Sequence, residues 1–381
     1  MRNPYFVIDA NLIEANLKVL RTIMDKTGCK ILLAQKCFSC YALYPMISKY
    51  LAGATASGLY EARLCHEEMP GAENHIFSPA FSEKDMDEIV RICDHIVFNS
   101  LRQLSLYGKK AKAAGLQVGL RINPECSTQE GHAIYDPCSE GSRMGVRLKD
   151  FEMISDELLG LLDGLHFHTL CEQNSDDLET TLDAVEERFG KYLRGMKWLN
   201  FGGGHHITRK DYDVERLERC IMRVKERYGL QVYLEPGEAV ALNAGELHCS
   251  VMDIQPMGDD GIRNAILSAS AACHMPDVIE MPYTPPVLTA GLKIHEEGDC
   301  VTGNLYRFGG PTCLSGDVIG VYESERELKE DDEMVFGDMA IYSMVKTNTF
   351  NGMPLPDIYI RRDGAMIQWK QFSYDNFKSR L

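Results

Sequence analysis

Short β-rich runs that stop at Gly, Pro, Asn or Ser recur through the first two-thirds of the chain, and helical patterns fill the intervals between them. In order they are "ILLAQK" (31–36), "GATASG" (53–58), "HIFSPA" (75–80), "HIVFNS" (95–100), "VGLRINP" (118–124), "LDGLHFHT" (162–169), "WLNFGGG" (198–204) and "QVYLEP" (231–236). Helices are predicted over Asn11–Thr27, Tyr41–Leu51, Glu83–Cys93, Leu101–Ala114, Asp176–Tyr192 and Val214–Tyr228. Eight β/α units whose helices are apolar on one side imply a parallel (β/α)8 barrel of the TIM type rather than an open sheet. The connection from Glu125 to Asp150 is the largest interruption, and loops of that length are often functional.

After about residue 245 the pattern changes. "ELHCSVMDIQP", "AILSASAACH", "PPVLTAGL", "DVIGVYE" and "DMAIYSMV" read as strands with turns and no regular helices. The expected organisation is a barrel over residues 10–245 and a β-rich C-terminal domain over 246–381 that also takes residues 1–9. The acidic run "ESERELKEDDE" (323–333) reads as a solvated loop. With 381 residues and 45% of them hydrophobic, the chain has the material for two cores. It shows no signal-peptide pattern and no apolar run long enough to span a bilayer, so a soluble cytoplasmic protein is expected. Thirteen scattered cysteines read as reduced thiols. A net charge of −16 argues against nucleic acid or an anionic membrane as partner, and favours a cationic ligand.

The segment "ILLAQKCFSC" holds two competing centres, the pair Cys37-x-x-Cys40 and the amine of Lys36. A structural zinc site commonly uses two such pairs, and no second one exists; a redox pair finds no other support in the chain. Cys37 and Cys40 are therefore read as packing residues, with no metal expected. In a barrel of this kind chemistry sits at the C-terminal ends of the strands. Lys36 ends the first strand, His168 the sixth, Gly202-Gly203-Gly204 the seventh and Glu235-Pro236-Gly237 the eighth. Each has a plainer explanation alone: an exposed lysine, a core histidine, a turn. Together they put an amine, an anion cradle, an imidazole and a carboxylate at one mouth. Pyridoxal 5'-phosphate uses that set. The amine holds the cofactor, glycine N–H groups take the phosphate, and the carboxylate keeps the pyridine nitrogen protonated.

These segments resemble the fold type III pyridoxal-phosphate decarboxylases, which include ornithine, diaminopimelate and biosynthetic arginine decarboxylases. The resemblance covers nearly the whole chain and implies an alanine-racemase-like barrel. "AQKCF" is similar to the family's lysine motif, "LHFHT" to its stacking-histidine strand, "NFGGG" to its phosphate loop and "LEPG" to its pyridine-nitrogen glutamate. "GPTCLSGD" (310–317) resembles the cysteine loop that reaches the partner subunit's site, and "YSMVKTNTFNG" (342–352) the closing tyrosine segment. The roles implied are Lys36 as cofactor anchor, His168 as ring stacker, and Gly203, Gly204 and Tyr342 on the phosphate. Glu235 would face the ring nitrogen. Cys313 of the partner subunit would donate a proton to Cα, which implies a homodimer with shared active sites.

Departures narrow the substrate. Ornithine decarboxylases carry arginine after "EPG", where this chain has Glu238, and aspartate after the loop cysteine, where it has Leu314. "EPGEA" with "CHMPD" instead resembles the carboxynorspermidine/carboxyspermidine decarboxylases of polyamine biosynthesis. A substrate with a protonated amine tail calls for carboxylates beyond the cofactor, and Glu238 and Asp277 are the candidates. Local roles for both, a hydrogen bond and a turn cap, remain open. His132 and Tyr135 could equally close over the substrate or lie on the surface. The competing readings are a decarboxylase of diaminopimelate or another basic amino acid, an alanine-type racemase, a non-catalytic cofactor-holding barrel and a dithiol or zinc protein.

Overall fold

The computed structural model describes residues 3–129 and 136–381, so His132 and Tyr135 fall outside it. The chain divides into two compact units, Glu14–Val240 and the combination of residues up to Ile13 with Ala241–Leu381. The divisions lie a few residues inside the boundaries expected above.

The first unit is a closed parallel barrel. Its strands are β1 (Lys30–Ala34), β2 (Gly53–Ala56), β3 (Glu73–Phe77), β4 (His95–Phe98), β5 (Gln117–Asn123), β6 (Gly164–His166), β7 (Trp198–Asn200) and β8 (Gln231–Leu234). They pair in chain order, and β8 pairs with β1 to close the ring. Crossover helices explain why neighbours run parallel. Ser82 caps the helix Glu83–Ile92 through its side chain, Ser100 caps Leu101–Ala113, and Asp213 caps Val214–Tyr228. The last of these buries Leu217, Cys220, Ile221 and Val224, the spacing of one helix face, and stops at Gly229 with φ 72°. A further helix, Leu59–Glu68, was not evident in the sequence and buries only Ala62 and Cys65.

Strand side chains alternate, so one set from each strand points into the barrel. One register row joins Arg121, His166, Asn200, Tyr233 and Lys30 on five consecutive strands. Another joins Val97, Gly119, Gly164 and Trp198. The Trp198 indole lies where side chains at two of these glycines would be: a Cβ on Gly164 would come within 2.0 Å of it, and one on Gly119 within 2.3 Å. Near it His95 of β4 meets Tyr233 of β8 with ring centroids 5.4 Å apart.

The second unit is built on a nine-stranded sheet. Tyr5–Asp9 lies between Gly245–Met257, to which it is antiparallel, and Asp357–Arg362, to which it is parallel. Arg361 ties these strands together by bonding both Asp9 and Glu246. Three expected strands differ. "AILSASAACH" is a strand only to Leu267; Ser270 then caps the short helix Ala271–His274. In "PPVLTAGL" two prolines lack ladder donors, and Val287 makes a single bridge before a strand begins at Leu292. "DMAIYSMV" follows a strand that ends at Gly337; Asp338 and Tyr342 adopt φ of 55° and 52°, which breaks extension. In the acidic run Glu323 is buried on a strand, while Glu325–Glu327 are exposed as expected. No helix among the described residues is long and apolar enough to cross a membrane.

Candidate active site

A cavity of about 660 Å³ opens at the C-terminal ends of the barrel strands, a size suited to a small-molecule site. Lys36, His168, Gly203 and Glu235 all line it, so four residues far apart in sequence converge. Lys36 projects from the end of β1 into the cavity. Burial first, then the charge of Arg121, pushes its amine below the ordinary lysine range, while Glu235 pulls the other way. Its lone pair is thus more available than that of a surface lysine.

His168 is fixed by the glycine loop. The Gly203 N–H donates to His168 Nδ1 at 2.7 Å, which requires that nitrogen to be unprotonated and sets the ring plane. Burial, then the charge of Lys36, holds this imidazole well below its ordinary value, so it stays neutral. Gly203 has no room for a side chain: a Cβ would sit 2.5 Å from the Glu235 carbonyl oxygen and 3.2 Å from His168 Cε1. The Gly202 N–H is also committed, to Asn200 Oδ1 at 2.8 Å. Among the described residues no protein acceptor takes the Gly204 N–H, and Gly204 itself is not part of the cavity lining.

Glu235 is buried. Burial works to raise its carboxyl, but the contact with His166 and the hydrogen bond from Asn200 Nδ2 at 2.8 Å outweigh it and hold the group down at about 2. It is therefore an anion facing the cavity, suited to a ring N–H. A reactive amine, a flat neutral imidazole, a glycine loop with no room for a side chain and a buried carboxylate fit pyridoxal phosphate.

Three neighbours were missed in the sequence: Arg121, His166 and Asn200. The signal was alternation, since His166 and Arg121 sit on strands whose inward face could be read two residues at a time. Arg121 lies over the Phe77 ring at 4.8 Å and donates to the His168 carbonyl at 3.0 Å. The loop Asp136–Met144, within the long connection already singled out, supplies much of the cavity wall.

The remaining expected residues lie elsewhere. Glu238 begins a short helix, with Oε2 3.9 Å from His206 Nε2, and does not line the cavity. Asp277, Cys313 and Tyr342 belong to the second unit. The Asp277 carboxylate is already paired with Lys346, which also bonds Glu280 at 2.6 Å. Cys313 is an exposed free thiol whose N–H donates to Asn351 Oδ1 at 3.0 Å. Tyr342 has a strained left-handed backbone, tightened by a Ser343 N–H bond to the Ile341 carbonyl. At the opposite end of the barrel Glu73, His75 and His95 offer atoms within 4.8 Å of one another. The two imidazoles are stacked at 3.8 Å with 11° between their planes, His75 Nε2 lies 3.0 Å from Glu73 Oε2, and Lys30 also bonds Glu73. That cluster is a polar network with two buried imidazoles and a half-buried Glu73–Lys30 pair.

Comparison with known proteins agrees with this geometry. A family model described as "Pyridoxal-dependent decarboxylase, C-terminal sheet domain" matches residues 6–340. A carboxynorspermidine/carboxyspermidine decarboxylase of Campylobacter jejuni is 41% identical, with 100% of this chain and 98% of that protein covered. A carboxyaminopropylagmatine decarboxylase of Synechocystis is 38% identical over 100% of this chain and 95% of its own. The crystal structure of carboxynorspermidine decarboxylase with norspermidine, from Campylobacter jejuni, superposes with a TM-score of 0.90 at 40% identity, with both chains fully covered. The chain belongs to the pyridoxal-dependent decarboxylases, in the group of the carboxynorspermidine/carboxyspermidine decarboxylases.

Proposed function

We propose that this enzyme decarboxylates carboxynorspermidine or carboxyspermidine, releasing norspermidine or spermidine for polyamine biosynthesis. The observation that carries the reading is the convergence of Lys36, His168, Gly203 and Glu235 on one cavity, in a chain alike over its full length to enzymes named for these substrates. A second reading is favoured by the Synechocystis relative, whose name specifies a substrate with an agmatine tail.

Lys36 would hold the cofactor through its amine, whose lowered basicity keeps its lone pair available as a nucleophile near neutral pH. Bound pyridoxal phosphate supplies the electron sink that accepts the pair left when the carboxylate departs as carbon dioxide. Glu235 keeps the ring nitrogen protonated, and neutral His168 packs on the ring face without competing for charge. Gly204, Gly203 and the Tyr342 hydroxyl hold the phosphate, the first through its N–H and the second by leaving room. The partner's Cys313 delivers a proton to Cα, and a homodimer is the working unit. Glu238 and Asp277 are the carboxylates we propose for the substrate's cationic tail; neither lines the barrel cavity, and Asp277 is paired with Lys346. The protein works in the cytoplasm.

The test is carbon dioxide release by the purified, cofactor-loaded enzyme. The substrates would be carboxynorspermidine, carboxyspermidine, carboxyaminopropylagmatine, diaminopimelate, ornithine and arginine. Turnover of the first two above the rest supports the proposal, and preference for the third establishes the second reading. Turnover of diaminopimelate or ornithine alone defeats both and removes the tail roles of Glu238 and Asp277. Lys36→Ala should abolish turnover, and a Cys313→Ala enzyme with undiminished, clean decarboxylation would remove that thiol from the scheme.

A further inference from the structure

We propose that His166 is a positioning residue of this site, donating its Nε2–H to Glu235 Oε2 so that the carboxylate stays ionised and aimed at the ring nitrogen. The proposal rests on the reading of Glu235 given above. His166 is 2% exposed and lines the cavity wall beside Glu235. Its Nε2 lies 3.3 Å from Glu235 Oε2, but the contact is not aligned as a hydrogen bond, and among the described residues neither ring nitrogen has any other partner. Buried polar atoms without partners are rare and costly, and each one needs an explanation. Hydrogen bonds of catalytic groups are often long before the ligands arrive and tighten afterwards. A slight turn of the imidazole would complete this one.

The surroundings fix the ring for that purpose. Phe77 stacks on His166 at 5.5 Å with 28° between planes, and Arg121 covers Phe77. The other carboxylate oxygen is held by Asn200, itself anchored by the Gly202 N–H. Glu235 is thus clamped on one side by an amide and on the other by an imidazole. Burial holds His166 below its ordinary value, so the imidazole is a neutral donor. A neutral clamp matters: a fixed cation would satisfy the carboxylate and weaken its hold on a protonated ring nitrogen, whereas two neutral donors orient it and leave its charge available.

The test uses cofactor labelled with 15N at the ring nitrogen, bound to wild type, His166→Phe, His166→Gln and Glu235→Gln. The 15N chemical shift reports whether that nitrogen carries a proton, whatever the substrate. Phenylalanine keeps the stack on Phe77 and removes the donor, while glutamine carries an N–H that can reach the position of Nε2. In the Phe variant the midpoint for losing the ring proton should fall by about one pH unit, and kcat should fall about 10- to 100-fold. KM should move by less than about threefold, because the interaction acts on the chemical step rather than on uniform binding. The Gln variant should recover most of both. A Phe variant that binds cofactor with a wild-type 15N titration overturns the proposal. If the Phe variant fails to fold, 15N-histidine spectra of wild type decide instead: a proton on Nε2 supports the clamp, and one on Nδ1 alone overturns it. Absence of a bound signal in wild type would defeat the cofactor reading beneath the proposal, and that outcome is distinguishable from the others.

Discussion

Gly203→Ala is the most informative single change. The alanine methyl would sit 2.5 Å from the Glu235 carbonyl oxygen, against an ordinary contact of 3.4 Å or more, so the loops after β7 and β8 must separate by about 0.9 Å. They are not free to do so, because the Glu235 N–H donates to the Gly202 carbonyl at 2.7 Å. Overpacking of this kind costs about 1–3 kcal/mol. If the strain is relieved by opening the cofactor site, affinity for pyridoxal phosphate falls about 5- to 150-fold, at tenfold per 1.4 kcal/mol. The assay is titration of cofactor-free protein with pyridoxal phosphate, followed by absorbance. Gly229→Ala is the control: its φ is 72° with nothing within 4 Å of the added Cβ, so it meets backbone strain alone, about 1–2 kcal/mol of stability, with unchanged affinity. Gly203→Ala protein that binds within twofold of wild type would refute the argument that these loops are locked.

Arg121→Met removes the positive charge beside Lys36, so the pH at which that amine becomes reactive to an acylating reagent in cofactor-free protein should rise; an unchanged midpoint would count against the pairing. The sign for stability follows from proton counts. Between the depressed folded value and about 10.4 the unfolded chain binds more protons at this lysine, so stability climbs with pH across that window, and Arg121→Met should flatten the climb. Asp317→Ala should cost about 2–4 kcal/mol in denaturant unfolding, since this buried carboxylate accepts from Ser270 Oγ, Thr312 Oγ1 and the Ala272 N–H; a loss below about 1 kcal/mol would contradict that.

Much of the barrel was legible because each strand is a local run with its own stop, and strand ends mark the mouth. Lys36, His168, Gly203 and Glu235 could therefore be placed together without coordinates. Helix Leu59–Glu68 was not legible, because it buries so little that its apolar period is faint. Alternation along their strands could have marked His166 and Arg121 as inward-facing, but their place beside Glu235 and His168, like that of Asn200, depends on register between strands. The pairing of Asp277 with Lys346, 69 residues onward, is a tertiary contact of the same kind. In the second unit, prolines and left-handed residues end strands that composition alone would continue.

The fit of Trp198 against Gly119 and Gly164 carries a consequence for how such chains diverge. Three positions on neighbouring strands share one volume, so none can change size alone. Gly164→Ala should be costly beside Trp198 and much better tolerated beside a smaller residue there, a coupling of about 0.5–3 kcal/mol in a double-mutant cycle. Among homologues, larger residues at 119 or 164 should appear only together with a smaller one at 198. These three positions at the base of the barrel are thus inherited as a block, changing in size together or not at all.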